Sequence, residues 1–198
     1  MHTIFNNTNI NINNFKIITY KKNDVIFNEG DSCDSIGLVI YGNITITTYT
    51  YNEKEYEIIN IQDDGIFGQN IIFSNQKYLG TGITTKETKV IFISKKELLS
   101  LFTNQTFAAN YLSLISKITL NIQKKVKLLT QKEIRDKIMF LLYENIKETN
   151  SNTFYYDTKE KLALYLNITR PSLSRELINM KNEGIIEYDL KSITLLKK

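Results

Sequence analysis

The spacing of apolar residues changes twice along this chain. From about residue 15 to residue 94 it follows the period of strands. Asp24-Val25-Ile26-Phe27 runs into Asn28-Glu29-Gly30-Asp31, which reads as a turn. Ser35 to Tyr41 is apolar, and Gly42-Asn43 turns the chain again. Ile44 to Tyr49 alternates with period two and is rich in β-branched residues, as a half-buried strand requires. Asn52-Glu53-Lys54 predicts a turn, Tyr56 to Ile61 a strand, Asp63-Asp64-Gly65 a turn, and Val90 to Ile93 a late strand. Many short strands divided by Gly, Asn and Asp turns predict a sandwich or barrel.

From residue 95 to about 129 the period becomes helical. Ser94 and Glu97 have capping-box spacing. The run from Thr106 carries Tyr111, Ile115, Ile118, Ile122, Val126 and Leu129, a heptad-like seam with one stutter. Phe107, Ala108, Leu112 and Leu114 form a second apolar side that could pack on the barrel. Two readings stay open, a long core helix or a helix that pairs with a second copy of itself. The second is favoured, because a two-sided helix of roughly 24 residues is longer than one domain needs.

The third zone reads as a compact helical domain. Thr130-Gln131-Lys132-Glu133 has capping-box form before Ile134, Ile138, Leu141, Leu142 and Ile146. Asp157-Thr158-Lys159-Glu160 is another cap, opening a short helix with Leu162, Ala163 and Leu166, and Asn167-Ile168 is a tight connection. Thr169 caps a third helix that should turn Leu173, Leu177, Ile178 and Met180 inward, with Gly184 as its stop. Two short strands follow, joined around Asp189 to Ser192. Asp157 to Gly184 therefore predicts a helix-turn-helix, and the hairpin makes it winged. In such motifs the second helix enters the major groove by its N-terminal end. Of three Arg in the chain (Arg135, Arg170 and Arg175), two fall on that helix. Arg reads guanine O6 and N7 in bidentate fashion and also holds phosphate. Thr169, Ser172 and Ser174 add short donors, and Lys181 and Lys197-Lys198 could meet backbone phosphates.

Composition narrows the field. A single Cys (Cys33) among 198 residues cannot form an internal disulfide or a Cys-rich metal centre. The single His, His2, is expected in a mobile terminus and cannot supply a Ser-His-Asp triad or a two-His metal site. No cofactor, metal or catalytic residue is expected. Net charge is +4 but unevenly spread. Residues 1–94 carry 7 Lys against 10 acids, whereas 95–129 carry 6 Lys against one. No stretch approaches the ~18 apolar residues of a membrane span. The Asn-rich start lacks the pattern of a secretory signal, so a cytoplasmic protein is expected. The abundance of Asn, Ile and Lys reads as coding bias.

From about Phe15 onward the chain resembles the CRP/FNR family of bacterial transcription regulators. The resemblance rests on Asp24 to Asp31, on Gly42, on Gly65-Ile66-Phe67-Gly68, and on Thr169-Arg170-Pro171-Ser172-Leu173-Ser174-Arg175-Glu176-Leu177. It implies an α+β chain: an N-terminal antiparallel β-barrel or jelly roll (1–96), a long dimerisation helix (97–129) and a C-terminal winged helix-turn-helix (130–198). The implied partners are double-stranded DNA, a second copy of the chain and RNA polymerase, and a small-molecule effector is left open. The implied DNA contacts are Thr169, Arg170, Pro171, Ser172, Ser174, Arg175 and Lys181. Gly68, Gln69, Asn70, Tyr78 and Thr81 would line the effector pocket, and Tyr111, Ile115, Ile118, Ile122 and Val126 the dimer interface.

The departures are informative. Members that bind cyclic nucleotides follow the cassette Gly with a Glu and later carry Arg for the cyclic phosphate. Here Gly68 precedes Gln69-Asn70, and Lys77 to Gly82 contains no Arg. An effector other than a cyclic nucleotide, or none, is therefore expected. Pro171 stands where many members place a Glu that accepts from cytosine, so the half-site should differ. The alternatives are a cyclic-nucleotide-responsive regulator, a ligand-binding module without DNA binding, and a jelly-roll enzyme.

Overall fold

The computed structural model describes residues 2–49 and 55–196. The turn expected at Asn52-Glu53-Lys54 and the terminal Lys197-Lys198 lie outside the described residues. The chain divides into two compact units, Met1–Ser116 and Lys117–Lys198.

The described residues of the first unit form eight strands: β1 (Lys16–Tyr20), β2 (Val25–Phe27), β3 (Ser35–Tyr41), β4 (Asn43–Tyr49), β5 (Glu55–Gln62), β6 (Ile66–Phe67), β7 (Thr81–Thr84) and β8 (Thr88–Ser94). They form two antiparallel sheets of order β1-β8-β3-β6 and β2-β7-β4-β5. Phe27, Ile44 and Ile61 from one sheet meet Val39, Phe67 and Val90 from the other in a shared core. Gly42, at φ +120°, makes the β3–β4 turn where a side chain would strike the Thr88 backbone.

Two helices end this unit's run of strands, α1 (Lys95–Leu101) and α2 (Gln105–Leu129). The Ser94/Glu97 capping box is complete. Asn104 starts α2, its side-chain oxygen accepting from Phe107 N at 3.0 Å.

The N-terminal segment corrects an expectation. His2 is buried, not mobile. Its Nε2 lies 3.1 Å from the Gly65 carbonyl and its Nδ1 lies 3.3 Å from the Ile4 N–H. Ile4 and Phe5 are buried, with Phe5 against Phe15 and Phe107. Asn104 Nδ2 donates to Thr8 O, and Asn110 Nδ2 donates to the carbonyls of Ile4 and Asn6. These polar groups fasten the segment to the start of α2. Tyr111 is accordingly not free for a dimer seam. It is buried against Phe102 and Phe107. Leu112, expected on the barrel, is 63% exposed instead.

The second unit contains the latter half of α2, then α3 (Ile134–Thr149), β9 (Thr153–Tyr155), α4 (Lys159–Leu166), α5 (Arg170–Asn182), β10 (Ile186–Tyr188) and β11 (Ser192–Leu195). Its core joins Leu128, Ile138, Leu142, Leu162, Ala163, Leu166, Leu173, Leu177 and Met180 with Ile186, Ile193 and Leu195. Three expectations are corrected. Glu133 is the α3 N-cap and makes no side-chain cap bond, because Thr130 Oγ1 donates back to Lys127 O. Ile178 is exposed rather than inward. Thr153–Tyr155 is a strand that pairs with β11, so the wing is a three-stranded sheet of order β10-β11-β9.

Candidate nucleic-acid interface

The interface is built outward from the α4–α5 turn. Thr158 caps α4 by accepting from Lys161 N, and Asn167 ends it in the left-handed region at φ 52°. Asn tolerates that conformation better than most side chains, so the turn needs no Gly. Ile168 packs against the core as a plug between the helices, and its N–H donates to Ala163 O. Thr169 then caps α5, its Oγ1 accepting from Ser172 N at 3.3 Å and lying 2.8 Å from Ser172 Oγ. Pro171 falls in the first turn, where its missing N–H breaks no helical bond.

Two lysines hold the far end of α4. Lys137 is buried, and its Nζ donates to Leu166 O at 3.0 Å. Lys125 Nζ donates to Tyr165 O and lies over the Tyr165 ring. Cations suit the C-terminal end of a helix, where carbonyls lack partners and the dipole is negative. Burial, and secondarily Lys137, pulls the Lys125 ammonium below its usual pKa.

Arg135, at the start of α3, clamps α5 by its later turns. Its Nε lies 2.7 Å from Glu176 Oε1, and its two terminal nitrogens reach the Glu183 carboxylate at 2.8 and 2.6 Å. Hydrogen bonds to both carboxylates, Glu183 first, raise the Arg135 pKa and hold the Glu183 carboxyl below its ordinary range.

With its C-terminal half clamped, α5 presents its other end. Pro171 and Arg175 are one turn apart and exposed on one face, with Ser174 half-buried between them. Ile178 continues that face at 48% exposure. Arg175 has no acidic partner among the described residues. Arg170 does have one: its Nε lies 2.8 Å from Glu160 Oε1 on α4, with both side chains more than half exposed. Lys181 lies at the opposite end of α5, paired with Glu187 at 2.7 Å. The structure therefore brings Thr169, Arg170, Pro171, Ser172, Ser174 and Arg175 together and sets Lys181 apart. From the sequence Glu160 belongs to the α4 cap and Ile178 to the core. Glu160 was hidden because its partner lies ten positions away on another helix. The exposed position of Ile178, seven residues from Pro171, was there to be read.

The residues assigned to the effector pocket separate in a similar way. Gly68, at φ +80°, sits where a side chain would come within about 3 Å of Cys33 Sγ, Ser35 O and Tyr78 Oη. Cys33 donates to the carbonyls of Ser35 and Gly68. Tyr78 stacks on Phe27 at 3.9 Å, and burial, with Cys33 beside it, drives its phenol pKa upward. A cavity of about 330 Å³ opens here, lined by Ile26, Phe27, Phe67 and Phe92, by Ser32 and Ser35, by Asp31 and Asp34, and by Tyr78. Of the expected lining only Tyr78 belongs to it. Asn70 is exposed, and Thr81 Oγ1 accepts from Glu29 N. Gln69 Oε1 is buried without a hydrogen-bond partner. Among the described residues no lysine or arginine lines the cavity.

Comparison with known proteins adds the following. Residues 17–105 match the model of the cyclic nucleotide-binding domain, and residues 138–198 that of the Crp-like helix-turn-helix domain. Curated protein sequences give no match. Among solved structures, CprK complexed with OCPA shares 14% identity over 94% of this chain and 89% of its own, with a TM-score of 0.75. A CooA variant from Carboxydothermus hydrogenoformans shares 16% over 98% and 90%, with a TM-score of 0.70. The c-di-GMP-responsive global regulator CLP of Xanthomonas campestris shares 18% over 94% and 96%, with a TM-score of 0.61. At these identities the structural likeness speaks for the fold, and the two domain models in tandem speak for the family. A cyclic-nucleotide-binding-type sandwich, a long helix and a winged helix-turn-helix follow one another in this order, and the chain belongs to the CRP/FNR family of transcription regulators.

Proposed function

We propose that this protein is a homodimeric, sequence-specific DNA-binding regulator without catalytic activity. Residues 1–96 act as sensor barrel, 97–129 as dimerisation helix and 130–198 as DNA reader. One observation carries the reading. The N-terminal end of α5 is capped, buttressed from behind and exposed, and among the described residues no acid occupies the Arg175 it presents. Arg175 reads guanine, Arg170 divides between base and phosphate, and Thr169, Ser172 and Ser174 donate to the backbone. Pro171 carries no donor, so the base opposite it is read by shape and apolar contact. Ile178 extends the same face and suits a thymine methyl. Lys181 reaches phosphate only after leaving Glu187.

The dimer seam follows an apolar stripe of α2, half-buried at Ile115 and Ile118 and exposed at Leu112, Ile122 and Val126. Ile115, Ile118, Ile122 and Val126 remain in it, and Leu112 replaces Tyr111. Leu112, Ile115, Ile118, Ile122, Val126 and Leu129 then recur at intervals of three or four. Two readers related by a two-fold axis require a pseudo-palindromic site. RNA polymerase is the further partner through which bound regulator would act.

The effector is not a cyclic nucleotide. Among the described residues the cavity carries Asp31 and Asp34 and no cation, so a cyclic phosphate would enter against like charge. Calorimetry against cAMP and cGMP checks this, and binding of either would overturn it. Selection of bound duplexes from a random pool tests the whole reading. A palindromic consensus supports it, and failure to enrich any sequence refutes it.

A further inference from the structure

Among the described residues Arg170 is the one α5 arginine with an acidic partner, Glu160. Glu160 stands in the first turn of α4, fixed by the Thr158 cap. Arg170 is the first residue of α5, fixed by the Thr169 cap. The carboxylate meets the guanidinium at Nε, 2.8 Å from Oε1. That contact uses the inner edge of the planar fork. The terminal edge, the one that meets guanine O6 and N7, has no other partner among the described residues. Both helices are anchored from behind, α4 by Lys125 and Lys137 and α5 by Arg135, so the pair joins two positioned backbones. Pro171 next door has no polar side chain that could orient Arg170 in Glu160's place.

We infer that Glu160 is a specificity-determining positioning residue that aims Arg170 at a base. This rests on the reading that Arg170 contacts DNA. Two effects combine. Paired with Glu160, Arg170 keeps its terminal edge toward the groove instead of swinging to the nearest phosphate. Where the base opposite is not guanine, Arg170 gains nothing, and the Glu160 carboxylate faces the phosphates of the duplex unrewarded. Glu160 thereby lowers affinity for wrong sequences more than for the right one. A solvated surface ion pair contributes little to folding stability, so its effect belongs to recognition.

The test is a double-mutant cycle with Glu160→Gln and Arg170→Ala. It uses the duplex that the wild-type protein enriches from a random pool and variants changed at each position in turn. Thermal melting of all four proteins should coincide within the error. For Glu160→Gln, affinity for unrelated duplex should rise, and discrimination at one base position in each half-site should fall by about three- to ten-fold, part of what a bidentate arginine supplies. On the Arg170→Ala background Glu160→Gln should leave discrimination unchanged. Unchanged discrimination in Glu160→Gln, while Arg170→Ala relaxes one position, overturns the positioning role and leaves the DNA reading intact. An equal effect of Glu160→Gln with and without Arg170 also overturns it. If Arg170→Ala relaxes no position, or the wild type enriches no duplex, the reading of Arg170 falls and this inference with it.

Discussion

Ile122 on α2 is 57% exposed, and replacing it with Ala tests the dimer seam quantitatively. Burying an Ile side chain fully contributes about 1.5–3 kcal/mol. Scaled by the exposed fraction, the part left for a partner to cover is about 1–2 kcal/mol in each copy. A two-fold axis counts each substitution twice, which makes about 2–4 kcal/mol per dimer. The dissociation constant should therefore rise roughly 30- to 1,000-fold. Leu120 supplies the control. It is 55% exposed, nearly the same, but two residues along the helix place it on about the opposite side. Leu120→Ala should shift the constant by less than about three-fold. Sedimentation equilibrium over a wide range of protein concentration measures both. Equal effects of the two variants, or no effect of Ile122→Ala, would show that this face of α2 is not the seam.

Further outcomes follow from the interior. Leu177 is fully buried in the core of the second unit, so Leu177→Ala should cost about 2–5 kcal/mol in urea unfolding of that unit. A loss below about 1 kcal/mol would mean that α5 is not packed as described. His2 titrates below its ordinary pKa of 6.5, because its burial outweighs the pull of Asp64 and the Gly65 carbonyl. The folded state thus binds fewer protons than the unfolded one. The stability held at pH above 6.5 is lost as pH falls below that value. As the only His in the chain, it gives one set of ring resonances, and a midpoint above 6.5 would refute the sign.

The strand and helix zones were legible because period two and period 3.6 leave different traces over six or more residues. β6 has two residues and β9 three, too few for any period to register. The apolar stripe of α2 is ambiguous at one end for another reason. Tyr111 and Leu112 are adjacent, so both fit a heptad within one position. Only the packing of Phe102 and Phe107 against Tyr111 decides between them. The Asn content carried more than coding bias. Asn7, Asn9, Asn23, Asn150 and Asn167 all take positive φ, positions a chain richer in Gly would give to Gly. At the barrel cavity the absence of an arginine between Lys77 and Gly82 is legible in the sequence. The sequence could not show that the space would be faced instead with Asp31 and Asp34, since these precede the cassette by more than 30 residues.

Net charge is a poor guide to how this protein should meet DNA, because much of the positive charge in the second unit is spent on internal geometry. Lys137 and Lys125 hold α4, Arg135 holds α5, and Lys181 and Arg170 each face a Glu. The two uses of charge leave different signatures. A cation that meets phosphate releases a counterion, so its removal flattens the slope of log affinity against log salt by about 0.9 for each copy. A cation that positions a helix does not. Arg135→Gln should weaken binding to all duplexes by a similar factor and leave the slope unchanged. It should also loosen the tilt of α5, read as lost protection of α5 amides in hydrogen exchange. Arg175→Ala should relax one base position and keep those amides protected. Should Arg135→Gln flatten the slope while α5 stays protected, Arg135 would be a phosphate contact, and the clamp seen in the free protein would have to open before DNA is bound.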